Sequence, residues 1–172
     1  RLVSDRDGVV HSTLAEKLLI PVLAKLSNFV PDGGVWMNTQ RPEWNDANNA
    51  LAGYGLSMVT ACQLRRHIAV LRDIYAESAG PWSISSSVAI WARGVLEVLT
   101  SERTLLQSRT IDDPSRRRIL DRLGSIFERR CGERHTRPET EIDAVTVEAL
   151  FDVALAWLDH AVAANRRADG LY

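Results

Sequence analysis

Lysine and cysteine are nearly missing from this 172-residue chain, and each shortage narrows what the protein can be. Lys17 and Lys25 are the only lysines against 19 arginines, so a run of arginines here reflects a bias of the whole chain before it reflects a phosphate site. The two cysteines, Cys62 and Cys131, lie 69 positions apart in helical contexts. They read as reduced, partly buried thiols ahead of a disulfide or a nucleophile. The four histidines are scattered without ligand spacing, so no metal site is expected. No apolar run approaches the ~20 residues of a membrane span, and no membrane contact is expected. No charged-then-apolar leader follows Arg1. A net charge of −1 gives no global field to recruit nucleic acid. There is no glycine-rich phosphate loop after a strand and no Ser or Cys hydrolase arrangement, and no cofactor is expected.

What is present is ordinary globular composition, 45% hydrophobic and 25% charged, in one domain's length of chain. The start at Arg1 and the end at Gly170-Leu171-Tyr172 lead us to expect a segment of a longer protein.

Apolar residues recur at three and four along five stretches. The first spans 12–29 on Leu14, Leu18, Leu19, Val22, Leu23 and Leu26, with Ser12 as N-cap and a kink or restart at Pro21. The second runs from Leu51 through Met58, Leu64, Ile68 and Leu71 to Ile74, with Gly53 and Gly55 near its start and Gly80-Pro81 closing it. Ser83 and Ser85 open a third over 84–107 on Val88, Trp91, Val95, Val98 and Leu99. Asp113-Pro114 opens a fourth over 114–131. Asp143 or Thr146 opens a fifth over 146–167, with Gly170 as its stop. No stretch alternates with period two for long, so the expectation is all-α, in antiparallel helical hairpins. Alternating helix directions would put the 30–49 loop, the 108–113 loop and the chain near Asp169 at one end. The 1–11, 77–84 and 132–144 segments would lie at the other.

The stretch from Trp36 to Asn49 breaks the helical pattern. It gathers Trp36, Arg41, Glu43, Trp44, Asn45, Asp46 and Asn48 directly after Pro31-Asp32-Gly33-Gly34. Trp faces suit sugar C–H groups, and amides and carboxylates suit hydroxyls. Glu43 beside Trp44 suits a general acid, because partial desolvation raises a carboxyl's pKa. Asp46 reads either as its partner or as an N-cap of the second helix. A second Arg-Pro-Glu at Arg137-Pro138-Glu139 would fall at the opposite end and is discounted. The arginine cluster Arg116, Arg117, Arg118, Arg122, Arg129, Arg130, Arg134 and Arg137 is interrupted by Asp121, Glu128 and Glu133. It reads as a solvated helix face rather than an RNA or phosphate site.

The run Pro42-Glu43-Trp44-Asn45-Asp46-Ala47 resembles the Gly-Asp-Trp-Asn-Asp-Gly stretch of cellobiose-phosphorylase-like enzymes. Arg41 to Asn49, followed by Gly53-Tyr54-Gly55, is similar to segments of glycogen-debranching (amylo-1,6-glucosidase) relatives. The resemblance implies an (α/α)6 toroid, of which residues 1–172 would form one all-α segment packed on the remainder of the same domain. It implies an inverting glycoside hydrolase or phosphorylase acting on an oligosaccharide or glycoside, with Glu43 as general acid and Asp46 beside it. Glu replaces the family's Asp, and Pro42 and Ala47 replace its two glycines. The competing expectations are a non-catalytic helical domain that binds oligosaccharide or a protein partner, and a helical scaffold in which the aromatic loop only fills a gap.

Overall fold

The helices begin where a short polar side chain precedes an apolar stripe. The computed structural model describes residues 4–5, 8–9, 11–38, 54–78, 80–132, 139–166 and 169. Within them, α1 (Leu14–Leu26) starts at Thr13, whose hydroxyl accepts from the Glu16 N–H at 3.2 Å. Helix α2 (Met58–Glu77) starts at Ser57, which serves the Thr60 N–H in the same way. Helix α3 (Ser86–Ser101) follows Ser85, and a 3-10 turn (Arg103–Gln107) extends it. Helix α4 (Asp113–Gly132) is capped by Asp112, which accepts from the Ser115 N–H at 2.8 Å. Helix α5 (Ala144–Ala164) is capped by Asp143 through the Thr146 N–H at 2.7 Å.

Helix α5 is the middle of the array. It packs on α2 along one side and on α3 along another, and α4 lies against the far side of α3. Trp157 is wholly buried there, and its indole N–H donates to the Leu99 carbonyl at 2.9 Å. Trp91 is held similarly, donating to the Ser27 hydroxyl at 2.9 Å. Each buried indole thus gives its apolar area without stranding its one donor.

The all-α expectation is overturned. Seven short strands pair antiparallel in three small sheets, so the described residues form an α+β arrangement rather than a run of plain helical hairpins belonging to a toroid. Strand β1 (Ser4–Asp5) pairs with β2 (Gly8–Val9). Strands β3 (Phe29–Val30), β4 (Gly34–Asn38) and β5 (Tyr54–Ser57) make a three-stranded sheet in that order. Strand β6 (Trp82–Ser85) pairs with β7 (Glu139–Ile142), Trp82 opposite Ile142. These strands are two to five residues long. A period of two hardly registers over so few positions, and pairing partners far away in sequence decide the conformation. Gly55, expected near the start of the second helix, instead sits in β5 opposite Met37. Helix α1 continues through Pro21 instead of restarting there. Lys17, whose carbonyl loses the Pro21 partner, is exposed, so water can serve that oxygen.

The two ends of the array are assigned as the alternation of helices predicts. Asp32 contacts Ile111 and Asn165 at one end. At the other, the Thr13 hydroxyl donates to the Ser83 carbonyl at 2.8 Å, and β6 pairs with β7.

Candidate functional site

Of the residues singled out in the Trp36–Asn49 stretch, Trp36 is the one that the structure describes with its side chain. Arg41, Glu43, Trp44, Asn45, Asp46 and Asn48 lie outside the described residues. What is described is the support on either side of them. The ladder sets Val35 opposite Ser57, Trp36 opposite Leu56, Met37 opposite Gly55 and Asn38 opposite Tyr54. Alternation along β4 sends Val35, fully buried, into the core and Trp36, 39% exposed, to the outer face beside Leu56. Residues 39–53 therefore leave and rejoin the fold at neighbouring positions on one antiparallel ladder. The N-cap reading of Asp46 falls on these residues, while Ser57 caps α2.

The turn that launches β4 is a knot of polar contacts. Gly33 donates to the Val30 carbonyl at 3.0 Å, with Pro31 and Asp32 between them and Asp32 at φ 57°. Proline followed by a positive φ is the pattern of a type II turn. Gly34 follows at φ 122°, where a Cβ would lie 2.8 Å from the Ser57 carbonyl oxygen, so only glycine allows β4 this close to the start of α2. The Asp32 side chain, 7% exposed, accepts from the Ile111 N–H at 2.6 Å, and its carbonyl accepts from Asn165 at 2.7 Å. Its other carboxylate oxygen lies 2.9 Å from Nδ1 of His160, close in distance but not aligned as a hydrogen bond. Nε2 of His160 lies 2.8 Å from the Ser108 carbonyl. Both ring nitrogens thus face oxygen atoms, the Asp32 carboxylate on one side and the Ser108 carbonyl on the other. Nothing in the sequence joins Asp32 to His160, since folding alone brings them together.

Two hollows border β6. One, of about 340 Å³, has Trp82, Tyr75 and Phe151 as its aromatic wall and Arg72, Asp73 and Glu148 at its rim. Tyr75 meets Trp82 and Phe151 edge-on at 4.7 and 5.5 Å and donates its hydroxyl to the Ala15 carbonyl at 2.7 Å. Burial pushes its phenol well above the usual range. The second, about 190 Å³, is bordered by His11, Glu16, Ser85 and Glu139. Glu16 is buried and accepts from both the Ser85 N–H at 3.0 Å and the Ser85 hydroxyl at 2.9 Å. It serves the start of α3 in place of a cap from Ser85 itself, and a carboxylate there also complements the helix dipole. That is a structural role, and Glu139 at this end stays with β7.

Among the described residues no group of three or more His, Cys, Asp or Glu side chains is arranged to hold a metal ion. No helix of the described residues is long and apolar enough to cross a membrane. Comparison with protein-family models and with curated proteins finds no match.

Proposed function

We propose that this chain belongs to a carbohydrate-active enzyme, a glycoside hydrolase or phosphorylase of the inverting type, with the β4–β5 hairpin as the arm that carries its site. The observation that supports this reading is Trp36, held outward on β4 at the base of the segment that contains Glu43-Trp44-Asn45-Asp46. An indole on a rigid ladder loses little freedom on contact with a sugar ring, and its flat face matches the ring's C–H groups. In the proposed mechanism Glu43 protonates the leaving glycosidic oxygen. Trp36 and Trp44 form the sugar platform, Arg41, Asn45 and Asn48 hold hydroxyls, and Asp46 orients Glu43 or binds a hydroxyl. Inversion then needs a nucleophile, water or phosphate, arriving on the opposite face of the ring. The likeness of residues 42–47 to the cellobiose-phosphorylase-like stretch supports the same assignment.

Replacing Glu43 by Gln keeps the side chain's shape and removes the proton. In the full-length protein, turnover of natural glycosides is expected to fall by about 10²-fold or more with sugar affinity retained. Turnover equal to that of the unmodified protein would end the proposal.

A second reading, a non-catalytic domain that binds carbohydrate or a protein partner, is favoured by the hollow beside Trp82. Its aromatic wall and its rim of Arg72, Asp73 and Glu148 combine an apolar face with hydroxyl-binding groups. Calorimetric titration with oligosaccharides separates the two readings. Binding that weakens in Trp82→Ala, is unmoved by Glu43→Gln and is never followed by turnover belongs to the second.

A further inference from the structure

The arginine cluster divides in two when each side chain is followed to its partner. Arg116 pairs with Asp113 and Arg117 with Asp121, both within α4. Arg118 and Arg122 converge on Glu102, at 2.9 and 3.0 Å. Arg129 and Arg130, two turns further on, join no ion pair among the described residues. Nε of Arg130 is buried with no hydrogen-bond partner among them. A buried, charged donor without an acceptor is costly. The favourable interaction of a cation with the C-terminal end of α4 accounts for part of this placement. It does not account for Arg93, which reaches the same surface from α3, joins no ion pair among the described residues and donates to the Glu141 carbonyl at 3.4 Å.

These arginines border a groove between α3 and α4, made of two adjoining hollows of about 520 and 490 Å³. Five of its lining residues are arginines and two are carboxylates, Glu97 and Asp121, the latter already taken by Arg117. Its floor is apolar. Gly94 lets the two helices approach until Ile126 lies 3.2 Å from where a Cβ would stand, and Ile90 is 61% exposed beside it. A cationic rim over an apolar floor calls for a ligand carrying both carboxylates and apolar side chains. A single-stranded nucleic acid would need an aromatic face for its bases. The aromatic residue of this groove, Trp91, is 3% exposed with its N–H already given to Ser27, so it offers no face to a base.

We infer that the α3–α4 groove is a docking site for an acidic, amphipathic protein segment, its carboxylates meeting Arg93, Arg129 and Arg130 and its apolar face resting on Ile90 and Ile126. The inference does not depend on the carbohydrate reading, because it uses none of the same residues.

The test uses the full chain and three fluorescent probes followed by anisotropy: an amphipathic peptide of Glu and Leu, its Lys and Leu counterpart, and a single-stranded oligonucleotide. The Glu–Leu peptide is expected to bind saturably, more weakly as salt is raised, and the Lys–Leu peptide not to bind. Arg93→Glu with Arg129→Glu, both at exposed positions, is expected to weaken binding by about tenfold or more, while circular dichroism shows the helices intact. Arg66→Glu, an equally exposed change on α2, is expected to leave affinity unchanged. Ile90→Asp is expected to weaken it as well. No saturable binding of the Glu–Leu peptide, an equal loss in Arg66→Glu, or tighter binding of the oligonucleotide would each overturn the inference.

Discussion

Asp32 holds two other stretches of chain, the one before α4 and the end of α5, from a backbone conformation that few side chains accept. At φ 57° it lies in the left-handed region, where Asp and Asn fare better than other residues with a Cβ. Its carboxylate serves the Ile111 N–H and faces His160, and its carbonyl serves Asn165. Removing the carboxylate leaves the Ile111 N–H without its acceptor and takes the oxygen away from beside His160 Nδ1. Asp32→Ala is expected to cost about 2–4 kcal/mol of unfolding free energy in urea titration. Asp32→Asn, which keeps an acceptor for Ile111 and tolerates the backbone, is expected to cost about 1–2 kcal/mol. Equal losses in the two variants would show that the negative charge, absent from both, rather than the backbone or the Ile111 hydrogen bond, sets the cost. Glu16 offers the same kind of experiment at the other end of the array. Glu16→Ala strands the Ser85 N–H and hydroxyl in a buried place and is expected to cost about 2–3 kcal/mol. Glu16→Gln, able to accept one of the two, is expected to lose less.

At the scale of elements, the helices were legible and the strands were not, for a physical reason. The start at Asp143 is written locally, in a cap followed by an apolar stripe, and the structure places α5 there, while α4 begins one residue earlier than Asp113-Pro114 signals, with Asp112 as its cap. The burial of Leu19, Val22, Leu23 and Leu26 follows the spacing of α1, although Leu14, on the same nominal stripe, is 73% exposed in the first turn. Strands β6 and β7 are four residues each and meet across more than fifty positions of chain, so neither segment carries the information alone. The same holds for contacts. Asp32–His160 and Glu16–Ser85 join residues with no motif in common. The candidate site was legible as a composition, Trp with amides and carboxylates, and of that set the structure adds where Trp36 faces. A prediction belongs at this scale. Glu102, 15% exposed, receives both Arg118 and Arg122 and ties the turn after α3 to α4. Glu102→Gln removes the shared charge, and is expected to cost about 1 kcal/mol, discounted from a buried pair because both guanidinium groups remain in solvent. A double-mutant cycle with Arg118→Ala gives the coupling directly, and a value near zero would count the pair as ornament.

Across the whole molecule, three carboxylates point to one pH response. Hydrogen bonds from Arg118 hold Glu102 below its ordinary value of 4.5. The Ser115 N–H and hydroxyl lower Asp112 below 3.8, and the Thr146 N–H and hydroxyl do the same for Asp143. A group whose pKa is depressed by folding adds stability above its unfolded value and loses it as pH falls through the folded one. Stability is therefore expected to be level in the neutral range and to decline as pH drops below about 4, measured by thermal unfolding across the acid range. Asp112→Asn and Asp143→Asn keep a capping side chain and cannot titrate, so together they should make the acid decline shallower. An unchanged acid limb would remove the two caps from the account. The ladder between β4 and β5 has a different kind of consequence. With Asn38 beside Tyr54, the separation of the two chain ends that bound residues 39–53 is set by backbone pairing. The entropy of closing such a connection rises only slowly with its length, roughly as the logarithm. A change in the length of that connection is thus expected to cost little through closure entropy, which makes the hairpin a place where specificity can diverge among descendants of one scaffold. A variant in which 39–53 is exchanged for Asn-Gly should melt close to the parent and lose whatever activity the parent has.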